Sequence, residues 1–202
     1  MLKKPNNYEN VQLNEDFIAI ELGGHKGVIK NAEVYTSEFS GKTSLKVCVD
    51  TAKDDKQPEY FAELYKNDDR ENKKWSASAI RYVSLGDEEN QVKQLKSFIT
   101  AVENSNPGFT YDWSKDEKAQ LKDKKIGLVF ALEEYEDNEG KTKTARKLNQ
   151  FRSIDKVDNV KIPKVKKLDG SLVEYEDYNK NNVVNTTDDA VEIIVTDDQL
   201  PF

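Results

Sequence analysis

The chain has 202 residues, 36% of them hydrophobic and 34% charged, with 38 Asp plus Glu against 31 Lys plus Arg and a formal charge of -7. That suffices for one packed domain with polar extensions, and with no run of about eighteen apolar residues and no signal-type cleavage site after Met-Leu-Lys-Lys, a soluble cytoplasmic protein with no membrane segment is expected. One cysteine and one histidine exclude an intrachain disulfide and a Cys/His zinc centre, and they leave nucleophile-and-imidazole catalysis a single candidate base.

In chain order, residues 1–25 are Asn-rich and read as an arm or lead-in, with a strand at Phe17 to Leu22 and with Gly23, Gly24 and Gly27 as chain breaks that leave His25 in a loop. Val28 to Thr36 is β-branched and aromatic, and Thr43 to Val49 alternates, with Leu45, Val47 and Val49 opposite Ser44, Lys46 and Cys48; both read as strands, and Cys48 as a buried one-thiol hydrophobe. Glu38 to Lys42 is the turn between them. Its Gly41-Lys42-Thr43 mimics the end of a phosphate-binding loop, but Thr36 stands where the first glycine belongs and a strand follows. Tyr60 to Tyr65 alternates as a third strand. Val92, Leu95, Phe98, Ile99 and Val102 recur at helical spacing, predicting a helix from Glu88 to Glu103 that stops at Asn104 to Gly108. A short helix follows Ser114, whose spacing to Glu117 is that of a capping box. Ile126 to Tyr135, the loop Asp137 to Lys141 with Gly140 at positive φ, and Thr142 to Arg152 read as a hairpin.

Three strands, a helix and a hairpin across residues 26–155 give the expected fold class, mainly β with a helical insertion, laid out as a five-stranded OB-fold barrel. Residues 156–170 form a basic extended segment around Pro163. Residues 171–202 are an acidic tail with too little apolar surface to offset its ordering entropy, Val191 to Val195 excepted.

The charge is unevenly placed. Residues 171–202 hold eight acidic side chains and one basic, whereas 141–167 hold ten basic and two acidic. Such asymmetry is expected of polyanion binders. Binding single strands needs cations along the phosphates and aromatics on which bases stack. The candidates are Lys46 on the polar face of the second strand, Phe61 and Tyr65 on one face of the third, Lys66, Arg70, Lys73, Lys74, Trp75, Arg81 and Tyr82 in the following stretch, and Lys143, Arg146, Lys147 and Arg152 in the hairpin. No catalytic residue, metal or cofactor is assigned.

Two resemblances sharpen this. Thr196-Asp197-Asp198-Gln199-Leu200-Pro201-Phe202 resembles the tip of bacterial single-stranded-DNA-binding proteins, in which acids steer toward a basic partner and a terminal aromatic fits a pocket. The stretches Phe98 to Gly108, Leu121 to Gly127, Glu133 to Tyr135, Gly140-Lys141 and Phe151 to Ser153 resemble OB-fold single-stranded-DNA-binding proteins of phages and prophages of Gram-positive bacteria, over most of residues 28–170. The resemblance implies a non-catalytic protein that coats single-stranded DNA during phage replication and recombination in the bacterial cytoplasm. It also implies recruitment of partner enzymes through Asp197, Asp198, Leu200, Pro201 and Phe202. Two other readings stand beside it: a protein-interaction adaptor built on the same barrel, and a magnesium nuclease using Glu71-Asn72-Lys73. Homo-oligomerisation and the choice between DNA and RNA stay open at this level.

Overall fold

Alternating apolar residues closed by turns build two long hairpins, and a short helix-rich stretch joins each to the rest. The computed structural model describes residues 3–4 and 18–182. The first hairpin is β1 (Gly23–Thr36) and β2 (Thr43–Thr51), followed by α1 (Tyr60–Asn67), β3 (Ile80–Ser84), α2 (Glu89–Ser105) and α3 (Glu117–Leu121). The second hairpin is β4 (Lys125–Glu136) and β5 (Thr142–Arg152), after which come β6 (Val165–Lys166), β7 (Leu172–Val173) and α4 (Tyr175–Asn182).

These seven strands form one sheet in the order β3-β2-β1-β4-β6-β7, with β5 on β4. Every pairing is antiparallel except the β4–β6 bridge at Glu133 and Lys166. No ladder joins β3 to β5, so the sheet is not closed. The fold is therefore mainly β, as the sequence predicts, and among the described residues no helix is long and apolar enough to cross a membrane. Val47, Val49, Ile29, Phe61, Phe98, Ile126, Leu128 and Phe130 fill the core, with α2 laid across β3, β4 and β5. At about 1.5–3 kcal/mol for each large side chain fully buried, this cluster dominates stability.

Several local expectations give way to tertiary contacts. Tyr60 to Tyr65 is the start of α1 and not a strand. The helix has no side-chain cap of its own; instead Asp50, on β2, turns its Oδ1 onto the amides of Phe61 at 2.9 Å and Ala62 at 3.4 Å. That remote carboxylate satisfies the first-turn donors a local cap would take. The glycines do not break the chain either: Gly23, Gly24 and Gly27 lie inside β1. A Cβ on Gly24 would sit 1.9 Å from the Val157 carbonyl oxygen and one on Gly127 2.4 Å from the Val157 side chain, so both are small because the turn after β5 packs flush on the sheet. Ile18 to Leu22 carries no strand, and Phe17 lies outside the described residues. In α3 the cap is Asp116, accepting from the Ala119 amide at 2.8 Å, while the Ser114 hydroxyl donates to Asp112.

The hairpin from β4 to β5 matches its prediction at both ends, with Gly140 at φ 75. Past it, the first residues of the acidic tail are ordered against the basic strip. Glu174 is 3.0 Å from Lys164 and 3.6 Å from Lys161, and the Tyr178 hydroxyl donates to Glu134 on β4 at 2.9 Å. Burial, then the Glu134 carboxylate, push the Tyr178 phenol up to about 12. Val191 to Val195 and the terminal tip lie outside the described residues.

His25 is a buried residue of β1 rather than a loop residue, 1% exposed. Its Nδ1 is 2.8 Å from Asp55 Oδ1, its Nε2 3.1 Å from the Glu21 carbonyl, and its ring meets Phe130 edge-on at 5.5 Å. Asp55 also accepts from the amides of Lys26 at 2.7 Å and Gln57 at 2.9 Å. Together with Asp50 and Thr51, these groups lock the β2–α1 connection against β1.

Candidate nucleic-acid interface

Strand register decides which of the candidate residues can meet. Glu33 on β1 lies opposite Lys46 on β2, which lies opposite Tyr82 on β3, and residues directly across a sheet share a face. Tyr35 joins them: its ring is 5.6 Å from that of Tyr82, and Lys46 Nζ stands 5.5 Å from its centroid. Lys46 thus projects from a sheet face carrying two tyrosines.

This face forms one wall of a groove of about 690 Å³. The segment before β3 supplies Lys74 and Trp75, and the far wall comes from Glu133 of β4, Lys147 of β5 and Lys166 of β6. Trp75 is half-buried, its indole Nε1 donating to the Val49 carbonyl at 3.0 Å and its ring 5.8 Å from Tyr65. Tyr65, 37% exposed, carries Lys73 Nζ at 5.1 Å from its ring centroid, so a cation and two rings extend from the Trp75 edge. The other tryptophan, Trp113, is 71% exposed and packs edge-on against Tyr111 on the connection from α2 to α3.

Arg81 spans the open seam of the sheet. Its position in β3 is opposite the buried Val47, and its Nη1 donates to the Leu148 carbonyl of β5 at 3.2 Å, where a closed barrel would have ladder bonds. Burial lowers its pKa, with the Glu133 charge acting the other way. Glu133 is the main counter-charge of the groove, 2.5 Å from Lys166 and 3.7 Å from Lys147. Burial works to raise the Glu133 carboxyl, but the hydrogen bonds and charges of Lys166 and Lys147 outweigh it and hold the group below its ordinary value. Five cations against Glu33 and Glu133 leave the groove positive.

The candidates therefore divide. Lys46, Lys74, Trp75, Arg81 and Lys147 converge on the groove, with Tyr65 and Lys73 beside Trp75. Phe61 does not: 1% exposed and 5.7 Å from the Phe130 ring, it is core and cannot stack on a base. Arg146 turns away to donate to the Ala19 and Ile20 carbonyls, fastening the lead-in to β5. Lys143 pairs with Asp137 at 3.2 Å in the hairpin loop, Lys66 lies 3.9 Å from Glu63 on α1, and Arg70 is gripped by Asp68, 2.6 Å from Nη2. Arg152 belongs to a different cleft. The partner residues Asp197, Asp198, Leu200, Pro201 and Phe202 lie outside the described residues.

Tyr82, a sequence candidate, also lines the groove, whereas sequence reasoning missed Tyr35 and Lys166. Tyr35 follows Val34 in an alternating strand, which is the signal that places it on the face of Lys46. Glu71, Asn72 and Lys73 lie in an exposed turn between α1 and β3. Among the described residues, no three His, Cys, Asp or Glu side chains gather as they would around a metal ion.

Compared with known proteins, the chain matches no family model and no curated sequence.

Proposed function

We propose that the chain is a non-catalytic protein that binds single-stranded DNA in this groove and serves phage replication and recombination in the bacterial cytoplasm. The observation carrying the reading is the convergence of Lys46, Lys74, Arg81, Lys147 and Lys166 with Trp75 and Tyr82 in one groove. Cations spaced along a channel track phosphates, and ring faces accept bases of any sequence at roughly 1–3 kcal/mol each. A duplex would demand a surface shaped to its grooves, whereas this groove offers edges and rings to unpaired bases.

The strand path adds support. Taken without β6 and β7, the sheet runs β3-β2-β1-β4-β5 with α2 between the third and fourth strands, the path of an OB-fold barrel, and the groove lies on the β2–β3 face that OB-folds use for oligonucleotides. On this reading the barrel is left open at the β3–β5 seam, with the Arg81 guanidinium bridging it. The resemblance in sequence to phage and prophage single-strand binders points the same way, and the acidic terminus would then recruit replication or recombination enzymes through Asp197, Asp198, Leu200, Pro201 and Phe202.

The test is fluorescence anisotropy of labelled poly-dT at two salt concentrations in EDTA, with duplex as competitor. Salt-sensitive binding that duplex fails to displace is the expected outcome. Absence of binding at low salt would overturn the reading and bring forward the adaptor, while breakdown of the labelled strand on adding magnesium would bring forward a nuclease.

A further inference from the structure

A second cleft, of about 400 Å³, opens between α2 and the end of β5, with Lys93, Lys96, Thr100, Phe151, Arg152 and Lys156 in its walls. No carboxylate lines it. Lys93 is paired with Glu89 at 2.6 Å, but Arg152 directs its hydrogen bonds to the neutral Gln150 amide, and the exposed side chains of Lys96 and Lys156 have no partner among the described residues. The contrast with the groove is chemical. There Glu133 already answers two lysines; here, among the described residues, Lys93 alone of the four cations is paired with a carboxylate.

Strand β5 joins the two places. Lys147, Leu148 and Asn149 line the groove, and Phe151, Arg152 and Ser153 line the cleft. Between them the β4–β5 register shifts at Val129 and Phe130, and such an irregularity bends a strand and re-aims its side chains. It lets Leu148 and Phe151 both turn inward, Phe151 reaching the Phe98 ring at 5.0 Å, while Arg152 points to the cleft. Lys147 and Arg152 stand roughly 16 Å apart along the strand, a gap that a single strand crosses in a few nucleotides.

We propose that the α2–β5 cleft is a second phosphate-binding station, into which a single strand leaving the groove continues across β5. This rests on the groove being a single-strand site, and it extends the footprint toward the upper part of the roughly 4–16 nucleotides per OB-type module. Anionic phosphodiesters suit the cleft because Lys96, Lys156 and Arg152 offer charge, and Ser97, Thr100 and Asn104 offer hydrogen bonds, without a resident acid.

The experiment uses the full chain carrying Lys96→Gln and Lys156→Gln, both exposed and outside the core, with Lys122→Gln, an exposed residue at the C-terminal end of α3 that lines neither cleft, as a charge control. Affinities for dT oligomers of about 6 and about 20 nucleotides are measured across a salt series. The double variant should lose about tenfold on the longer oligomer and under about twofold on the shorter, and its log-log salt slope on the longer one should fall by about 1.4, the value for two lost single-strand phosphate contacts. Equal losses on both lengths, or no loss on either, would overturn the second station. Wild-type protein that binds neither length would overturn the groove reading itself, a result seen before any variant is compared.

Discussion

At the β2–α1 junction polar side chains are turned inward and answer one another, whereas in the groove they are turned outward and only partly answered. His25, Asp50, Thr51, Asp55 and Gln57 exchange hydrogen bonds among themselves and with backbone amides, and the first four are almost wholly withdrawn from water. Lys46, Lys74 and Lys147 keep access to solvent around two carboxylates. A buried network this densely bonded specifies one conformation, and an incompletely matched surface leaves charge for a ligand to complete. Removing a junction residue should therefore cost stability and spare affinity, and removing a groove residue should do the reverse.

The largest effect expected is at Asp55. Asp55→Ala orphans the His25 ring nitrogen and two amides, which should lower unfolding stability by about 3 kcal/mol in urea titration, with DNA affinity of the folded fraction unchanged. An affinity loss as large as the stability loss would break the comparison.

Trp75 comes next. Trp75→Ala should weaken poly-dT binding by about 2 kcal/mol, and Trp75→Phe, which keeps a ring face but loses the bond to Val49, should recover most of that affinity while staying less stable than wild type. If Phe and Ala bind equally poorly, Trp75 acts by holding the loop and not by stacking.

The two junction carboxylates should separate on a pH axis. Burial opposes ionisation of Asp55, but the His25 ring and the amides of Gln57 and Lys26 outweigh it and keep the group below its ordinary value. Its contribution is present above the unfolded pKa near ~4 and is lost as pH falls through the folded value. Asp50 behaves oppositely: burial, with Oδ2 left without a partner among the described residues, raises it despite the amides on Oδ1. Between the unfolded and folded values the native state holds the extra proton, so this contribution declines as pH rises. Asp50→Asn should then gain on wild type as pH rises above about 4, whereas Asp55→Asn should lose ground as pH rises toward about 4 from below and run parallel to wild type above it. Parallel curves for the two variants would refute the assignment.

The smallest expected effect is a gain. Glu133→Gln releases Lys147 and Lys166 from their shared counter-ion and should tighten poly-dT binding about threefold at low salt, fading at high salt. A weaker-binding variant would mean that Glu133 positions those lysines for the phosphates.

What could be read from sequence followed the range of the interactions. The β4–β5 hairpin and α2 are fixed by nearby periodicity and turn chemistry, and both fell where expected. Residues 60–65 alternate like a strand, yet Phe61 and Leu64 also suit a helix, and the deciding contact comes from Asp50, eleven residues before Phe61 and on another element. The glycines of β1 looked like breaks because the Val157 carbonyl that requires Gly24 is more than a hundred residues away. The site divided in the same way. Lys46 and Lys147 point to the groove by strand alternation, whereas the diversion of Arg146 to the lead-in and of Arg152 to the second cleft depends on which surfaces the fold brings alongside them.

Trp75 also has an optical consequence. The chain has two tryptophans, and Trp113→Phe would remove the exposed one from outside both clefts. The remaining indole would then be a built-in fluorophore in the groove wall, and its emission should dim as bases stack on it, reporting occupancy on unlabelled oligonucleotides without a dye that could itself favour the rings.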